Sequence, residues 1–298
     1  MRPRDILDLV LLAALWGGSF LFTRMAVHDF GPVALIELRT GIAALFLLPL
    51  LWWRDGLRDY IANAGAITLV GVTNSALPFA LFAYAMLSMT AGFASILNAA
   101  SPLFGALIGF LWLRQRLTPG QIIGLVTGFL GVALLTWHNA GLQGSGAALA
   151  LSAALIGTIS YGFAANYTTR RLAGVNTLAV ATGSQAGAAL AMLPLSLWWW
   201  PSQPPSATAW LAVSTLGVAC SGLAYILYFR LIANVGPTRA IAVTFLIPVF
   251  GMLFGVSILG ETVTAGMLAG AVVILVGTAL ATGLLIVAPM RLKSHDSV

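Results

Sequence analysis

The chain has 298 residues, 60% of them hydrophobic and 7% charged, whereas a soluble domain carries about a quarter charged residues to hold its surface in water. That composition excludes a soluble fold. The net charge of +6 is spread over basic residues that stand singly or in pairs, which excludes a nucleic-acid partner and leaves topology signals as their reading.

A helix needs about 20 mainly apolar residues to cross the roughly 30 Å hydrocarbon core, and it satisfies its backbone polar groups internally. Cut at its polar and Pro/Gly punctuation, the chain yields ten such spans. They run from Asp5 to His28, Val33 to Trp53, Ala62 to Leu87, Thr90 to Leu113 and Pro119 to Trp137, then Ser145 to Thr169, Val175 to Trp200, Ala207 to Ala233, Gly236 to Leu259 and Thr264 to Ala288. The first follows Met1-Arg2-Pro3-Arg4 and ends without a small-x-small cleavage signature, so it is read as a retained helix. Lys and Arg in short loops favour the cytoplasm. With the N-terminus inside, every inner connection carries two: Arg2 and Arg4, Arg54 and Arg58, Arg114 and Arg116, Arg170 and Arg171, Arg230 and Arg239, Arg291 and Lys293. Both termini are therefore expected in the cytoplasm. Trp52, Trp53, Trp112, Trp137, Trp198 to Trp200 and Trp210 fall at expected interfaces as an aromatic belt, while Trp16 lies mid-span beside Gly17, Gly18 and Ser19.

A shift of 146 positions aligns the chain with itself: Gly71 with Gly217, Ala94 with Ala240, Pro102 with Pro248, Gly105 with Gly251, Gly109 with Gly255, Gly120 with Gly266 and Gly131 with Gly277. Five spans per copy is an odd number, so the second copy enters the membrane from the opposite face. The loops agree, since Arg114-Gln115-Arg116 after the fourth span becomes Gly260-Glu261-Thr262 after the ninth. Inverted repeats are a transporter architecture, with the cargo site near the midplane and access alternating between the two sides.

The repeated pattern of small residues before Pro102 and Pro248, the Gly260-Glu261 pair and the Gly266 to Gly277 spacing resemble the EamA-type ten-helix branch of the drug/metabolite transporter superfamily. The resemblance covers the whole chain and implies an all-α polytopic protein of the bacterial inner membrane. It further implies two inverted five-helix repeats over residues 1–140 and 141–290, a cytoplasmic tail over 291–298, and export of amino acids or other metabolites. The first copy departs from the pattern at Arg114 to Arg116, where a Gly-Glu pair is usual.

Midpoints fall near Trp16, Asn74, Pro102, Thr158, Ala219 and Pro248, and polar or aromatic residues at that depth need partners or a watery cavity. The candidate substrate-binding residues are Trp16, Ser19, Thr23, Asn74, Ser75, Phe79, Asn98, Ser101, Tyr161, Asn166, Ser221, Tyr225, Thr244 and Phe245. Pro78, Pro102 and Pro248 remove backbone donors inside spans and are candidate gating kinks. The small-xxx-small ladders Gly105/Gly109, Gly251/Gly255, Gly120/Gly124/Gly128 and Gly266/Gly270 permit close packing, within the subunit or, for spans five and ten, in a weak homodimer.

No Lys or Arg is expected at the midplane, which argues against phosphorylated cargo. No carboxylate lies between Asp8 and Asp29 in the first span, which argues against a pump for cations of the small four-helix type. An uncharged cavity for neutral or zwitterionic cargo remains, and Trp16, Phe79, Tyr161 and Tyr225 favour aromatic or apolar amino acids; a multidrug or other metabolite carrier, proton-coupled or not, is the alternative. Glu37, Arg39 and Arg24 are expected as a structural ion-pair cluster in the outer half of the membrane. Cys220 reads as a small buried hydrophobe, and as the single cysteine it supports neither a disulfide nor a thiolate cluster. His28, His138 and His295 lie at or beyond span ends and no His-Glu-x-x-His motif occurs, so neither an enzyme nor a metal or other cofactor is expected.

Overall fold

A computed structural model describes residues 1–137 and 146–285, and every regular element within them is helical. The expected outer loop at His138 and Asn139, the tail with Arg291, Lys293 and His295, and the ends of spans six and ten at Ser145 and Ala288 lie outside the described residues.

The helical run Pro3–Trp53 is 51 residues long, about 76 Å at 1.5 Å per residue and so more than twice the hydrocarbon thickness. It is two spans joined at Gly31, whose φ of 69° breaks the helix, with Pro32 starting the next turn. Glycine enters that region without steric cost. We number the spans α1 (3–30), α2 (32–53), α3 (Ala64–Ala85), α4 (Ala91–Leu113), α5 (Pro119–Trp137), α6 (Ala147–Arg171), α7 (Thr177–Trp198), α8 (Ala207–Val235), α9 (237–259) and α10 (Ala265–Ala281). Their outward faces carry Leu45, Leu111, Leu130, Leu190 and Leu211, and Trp52, Trp53, Trp137 and Trp198 stand exposed at span ends, as lipid contact requires.

The repeat is visible in backbone irregularities as well as in letters. A π-turn interrupts α3 at Val72–Ala76 and another interrupts α8 at Val218–Leu223, positions related by the same shift of 146. Likewise α4 ends on Arg114 at φ 53° and α9 on Gly260 at φ 65°, with Gln115 N–H donating to Gly109 and Glu261 N–H to Gly255 at equivalent places. The arginine keeps a left-handed turn that costs a non-glycine residue about 1–2 kcal/mol. The departure from the repeat at Arg114 therefore changes the side chain and leaves the backbone path intact.

The two halves of the sequence exchange helices in space. From the first half, α1 packs on α8 and α9: Leu9, Leu12 and Ala13 join Leu227, Leu231 and Val243 in one core cluster, and Asp8 pairs with Arg230. Helix α2 lies on α8, where a Cβ at Gly217 would strike Ile42 and one at Gly222 would strike Phe46. From the second half, α6 packs on α3 and α4, with Gly162 against Gly105 and Gly157 against Phe82, and α7 packs on α3 with Gly71 against Ser184. The result is one bundle of α1, α2, α8 and α9 facing another of α3, α4, α6 and α7.

Helices α5 and α10 lie against each other. A Cβ at Gly277 would fall on the backbone of Gly128, and one at Gly131 would come within 2.7 Å of the Ile274 nitrogen. These glycines make a close helix–helix contact inside the chain, the first of the two packing roles expected of the small-residue ladders.

Candidate substrate cavity

A cavity of about 350 Å³ opens between the two bundles, within the ~300–1,000 Å³ range of small-molecule sites. One wall is built from Trp16, Ser19, Phe20, Thr23, Arg39, Cys220, Ser221, Tyr225, Tyr228, Ile241, Thr244 and Ile247. The facing wall is built from Asn74, Phe79, Phe82, Met86, Asn98, Ser101, Pro102, Gly105, Tyr161, Gly162 and Ala165. Seven aromatic side chains stand in the lining, from both walls. Trp16 and Tyr228 lie 5.2 Å apart, Phe79 and Tyr161 6.3 Å, and Phe20 meets Phe82 edge-on at 6.0 Å, spacings at which rings attract one another.

Of the residues expected at the midplane, Trp16, Ser19, Thr23, Asn74, Phe79, Asn98, Ser101, Tyr161, Ser221, Tyr225 and Thr244 line this space. Three do not. Ser75 is fully buried behind the wall, where it accepts a hydrogen bond from Gln185 at 2.8 Å. Asn166 donates to Gly105 at 2.8 Å and Gly162 at 2.9 Å, joining α6 to α4. Phe245 is absent from the lining although its neighbour Thr244 is present.

The prolines divide in the same way. Pro78 opens the helix that follows the π-turn of α3, and Pro102 follows the break after Asn98 that splits α4. The segment Val243–Leu259 of α9 instead runs through Pro248 as helix, and the break in that span falls at Ile241 and Ala242, so Pro248 is not where α9 is interrupted.

Three hydroxyls of the lining present acceptors. The hydroxyls of Ser19, Ser101 and Thr244 donate to the carbonyls of Trp16 at 2.7 Å, Asn98 at 2.6 Å and Ile241 at 2.7 Å, which leaves their lone pairs free. The side chain of Gln185 on α7 donates to both Ser75 and the Tyr225 hydroxyl, the latter at 3.4 Å, and so joins the two bundles behind the cavity. Its own Oε1 is buried without a partner among the described residues.

Arg39 was misplaced by its position in the sequence. It is 5% exposed, donates from Nε to the Ser221 hydroxyl at 3.1 Å, and lays its guanidinium 3.8 Å from the centre of the Phe79 ring. The expected cluster with Glu37 and Arg24 does not form: among the described residues the one ion pair is Asp8 with Arg230, and Arg24 donates to the Met86 carbonyl and faces His28. The cavity is therefore charged, not uncharged. The residue lies eight positions past the break at Gly31, roughly 12 Å along the helix, and its long side chain covers the remaining depth. A charge inside an apolar span was the available signal.

Beyond one end of the cavity, α9 is tied to α4. Glu261, just past α9, accepts from the N–H groups of Ala91 at 2.7 Å and Gly92 at 3.0 Å in the first turn of α4, where helix donors have no internal partner. Below it Ser95 is seated against Gly251. Toward the opposite ends of these helices, α4 instead presents Gly105 to Gly162 of α6, and the lining reaches Ala165 and Ile241.

Two exchanged helical bundles around a central cavity, built from a chain with enough apolar helix to cross a membrane ten times, define a multi-pass membrane transporter. The chain belongs to the EamA-like transporter family, whose model matches it twice, over residues 6–137 and 148–283. It is 27% identical over 271 residues to the uncharacterized inner membrane transporter YedA of Escherichia coli (strain K12), covering 89% of this chain and 87% of that one. A probable terminal-alkyne amino-acid exporter of Streptantibioticus cattleyicolor is 25% identical, over 85% of this chain and 84% of its own length. A crystal structure with a TM-score of 0.66 and 21% identity, covering 95% of this chain and 98% of its own, shows the same fold.

Proposed function

We propose that this carrier exports small metabolites with an aromatic or apolar body, amino acids foremost, from the bacterial cytoplasm by alternating access. The observation that carries the reading is the cavity between the exchanged bundles, lined by both, with α4 and α9 tied together at Glu261 beyond one end. The similar protein named as a probable amino-acid exporter supports the cargo class. With the paired basic residues of the inner loops in the cytoplasm, Glu261 lies on the outer side and the cavity is reached from within. Cargo would enter from the cytoplasm, the bundles would rock about α5 and α10, and the α4–α9 contact at Glu261 would part to release it.

Membership of a transporter family favours a carrier over an enzyme. Aromatic walls would also accept drug-like bodies, so neutral drugs belong in the test panel. Proteoliposomes loaded with radiolabelled phenylalanine or leucine should release it saturably, and Ser101→Trp should stop the release while leaving the protein monodisperse. Release that survives a tryptophan at position 101 would remove the cavity from the path.

A further inference from the structure

Arg39 is a cation in the protein interior, and among the described residues no carboxylate pairs with it. An arginine within a span ordinarily faces an acid or a carbonyl, because an uncompensated charge in low dielectric is costly. Here Ser221 occupies the Nε position and Phe79 covers one face. Both partners are neutral, so the charge itself is unanswered. Arg39 also belongs to the cavity wall, so an anion entering from the cavity would meet the remaining guanidinium N–H groups.

The opposite charge has no counterpart. The lining contains no Asp or Glu, and what it offers an ammonium group is the dipoles of Ser19, Ser101 and Thr244 and the faces of its aromatic rings, none of which carries a countercharge. Asn98, whose side chain makes no hydrogen bond within the described residues, can serve either an acceptor or a donor. Arg39 is the one Lys or Arg in the lining. It can neutralise a single negative charge, which suits a carboxylate better than a phosphate dianion.

We infer that Arg39 anchors the carboxylate of the cargo, so that this carrier selects small monocarboxylates with an aromatic or apolar body and does not require their amino group. The inference rests on the cavity being the cargo site and narrows what enters it. Because Arg39 stands on α2 and Phe79 on α3, a carboxylate held there also touches the seam between the two bundles.

The test uses the purified full-length protein in detergent and two matched series. One is phenylalanine, 3-phenylpropionate, phenethylamine and phenylalaninamide; the other is leucine, 4-methylpentanoate, isoamylamine and leucinamide. Binding is read by competition against radiolabelled phenylalanine or leucine, and by the shift in melting temperature. The intact amino acids and the deaminated acids should bind within about threefold of each other, while the amines and amides bind at least about tenfold more weakly, the loss expected when a charge-assisted bond is removed. Arg39→Gln should erase that difference and Arg39→Lys should restore part of it, both judged on protein that elutes as a single species. Amines and amides that bind as well as the acids overturn the role of Arg39 and leave the cavity standing. Failure of every compound in both series overturns the cargo reading together with the inference. Competition by chloride or inorganic phosphate equal to that of the acids marks an unselective anion site and also overturns the inference.

Discussion

Replacing Glu261 with alanine is expected to release the contact between α9 and the first turn of α4. Its carboxylate accepts two backbone N–H groups of α4, at 2.7 and 3.0 Å, and hydrogen bonds to a charged group contribute about 1.5–3 kcal/mol each. The residue is partly exposed, so screening brings the pair to about 2–3 kcal/mol, or a roughly 30- to 150-fold change in the ratio of closed to open ends. Glutamine keeps an acceptor but loses the charge, and should move the ratio by about fivefold. The reporter is a cysteine introduced as Ser95→Cys in a Cys220→Ala background. Ser95 is fully buried against Gly251 beneath the latch, and Cys220 is the only native thiol. Labelling by a membrane-impermeant maleimide, applied from outside to intact cells, should accelerate by at least about tenfold in the alanine variant. Equal rates in the two proteins, at equal melting temperatures, would refute the latch.

Three further outcomes follow from the packing. Gly277→Val places a side chain against the backbone of Gly128, and overpacking of about 1–3 kcal/mol should lower the melting temperature measured by fluorescence-detected size exclusion; an unchanged melt would mean that α5 and α10 do not meet there. Asp8→Asn leaves Arg230 without its partner, and because that arginine is 39% exposed the cost is about 1–3 kcal/mol after screening. The double variant Asp8→Asn with Arg230→Gln should regain part of that stability, and a strictly additive cycle would count against the pair. Gly31→Ala forces a side chain into φ 69° and ψ 164°, costing about 1–3 kcal/mol, while Gly65→Ala, which meets open space, should leave the melt unchanged.

Much of this architecture is legible in the letters. Span length, the alternation of basic loops and the 146-residue shift each depend on distance along the chain, and depth in a membrane is set by that same distance at about 1.5 Å per residue. Depth alone therefore collected Trp16, Asn74, Ser101 and Tyr225 before any helix was placed, and all four line the cavity.

What sequence does not give is the direction each residue faces. These helices are apolar on nearly every side, so no polar stripe marks the inner face, and Ser75, Asn166 and Phe245 share the depth of the site without facing it. The exchange of α1, α2, α6 and α7 between the halves was likewise invisible, because it is set by which glycine surface meets which side chain across the bundle. Arg39 shows the difference most clearly: its backbone depth suggested the outer leaflet, and only the packing of α2 against α8 turned its long side chain inward to Ser221 and the cavity.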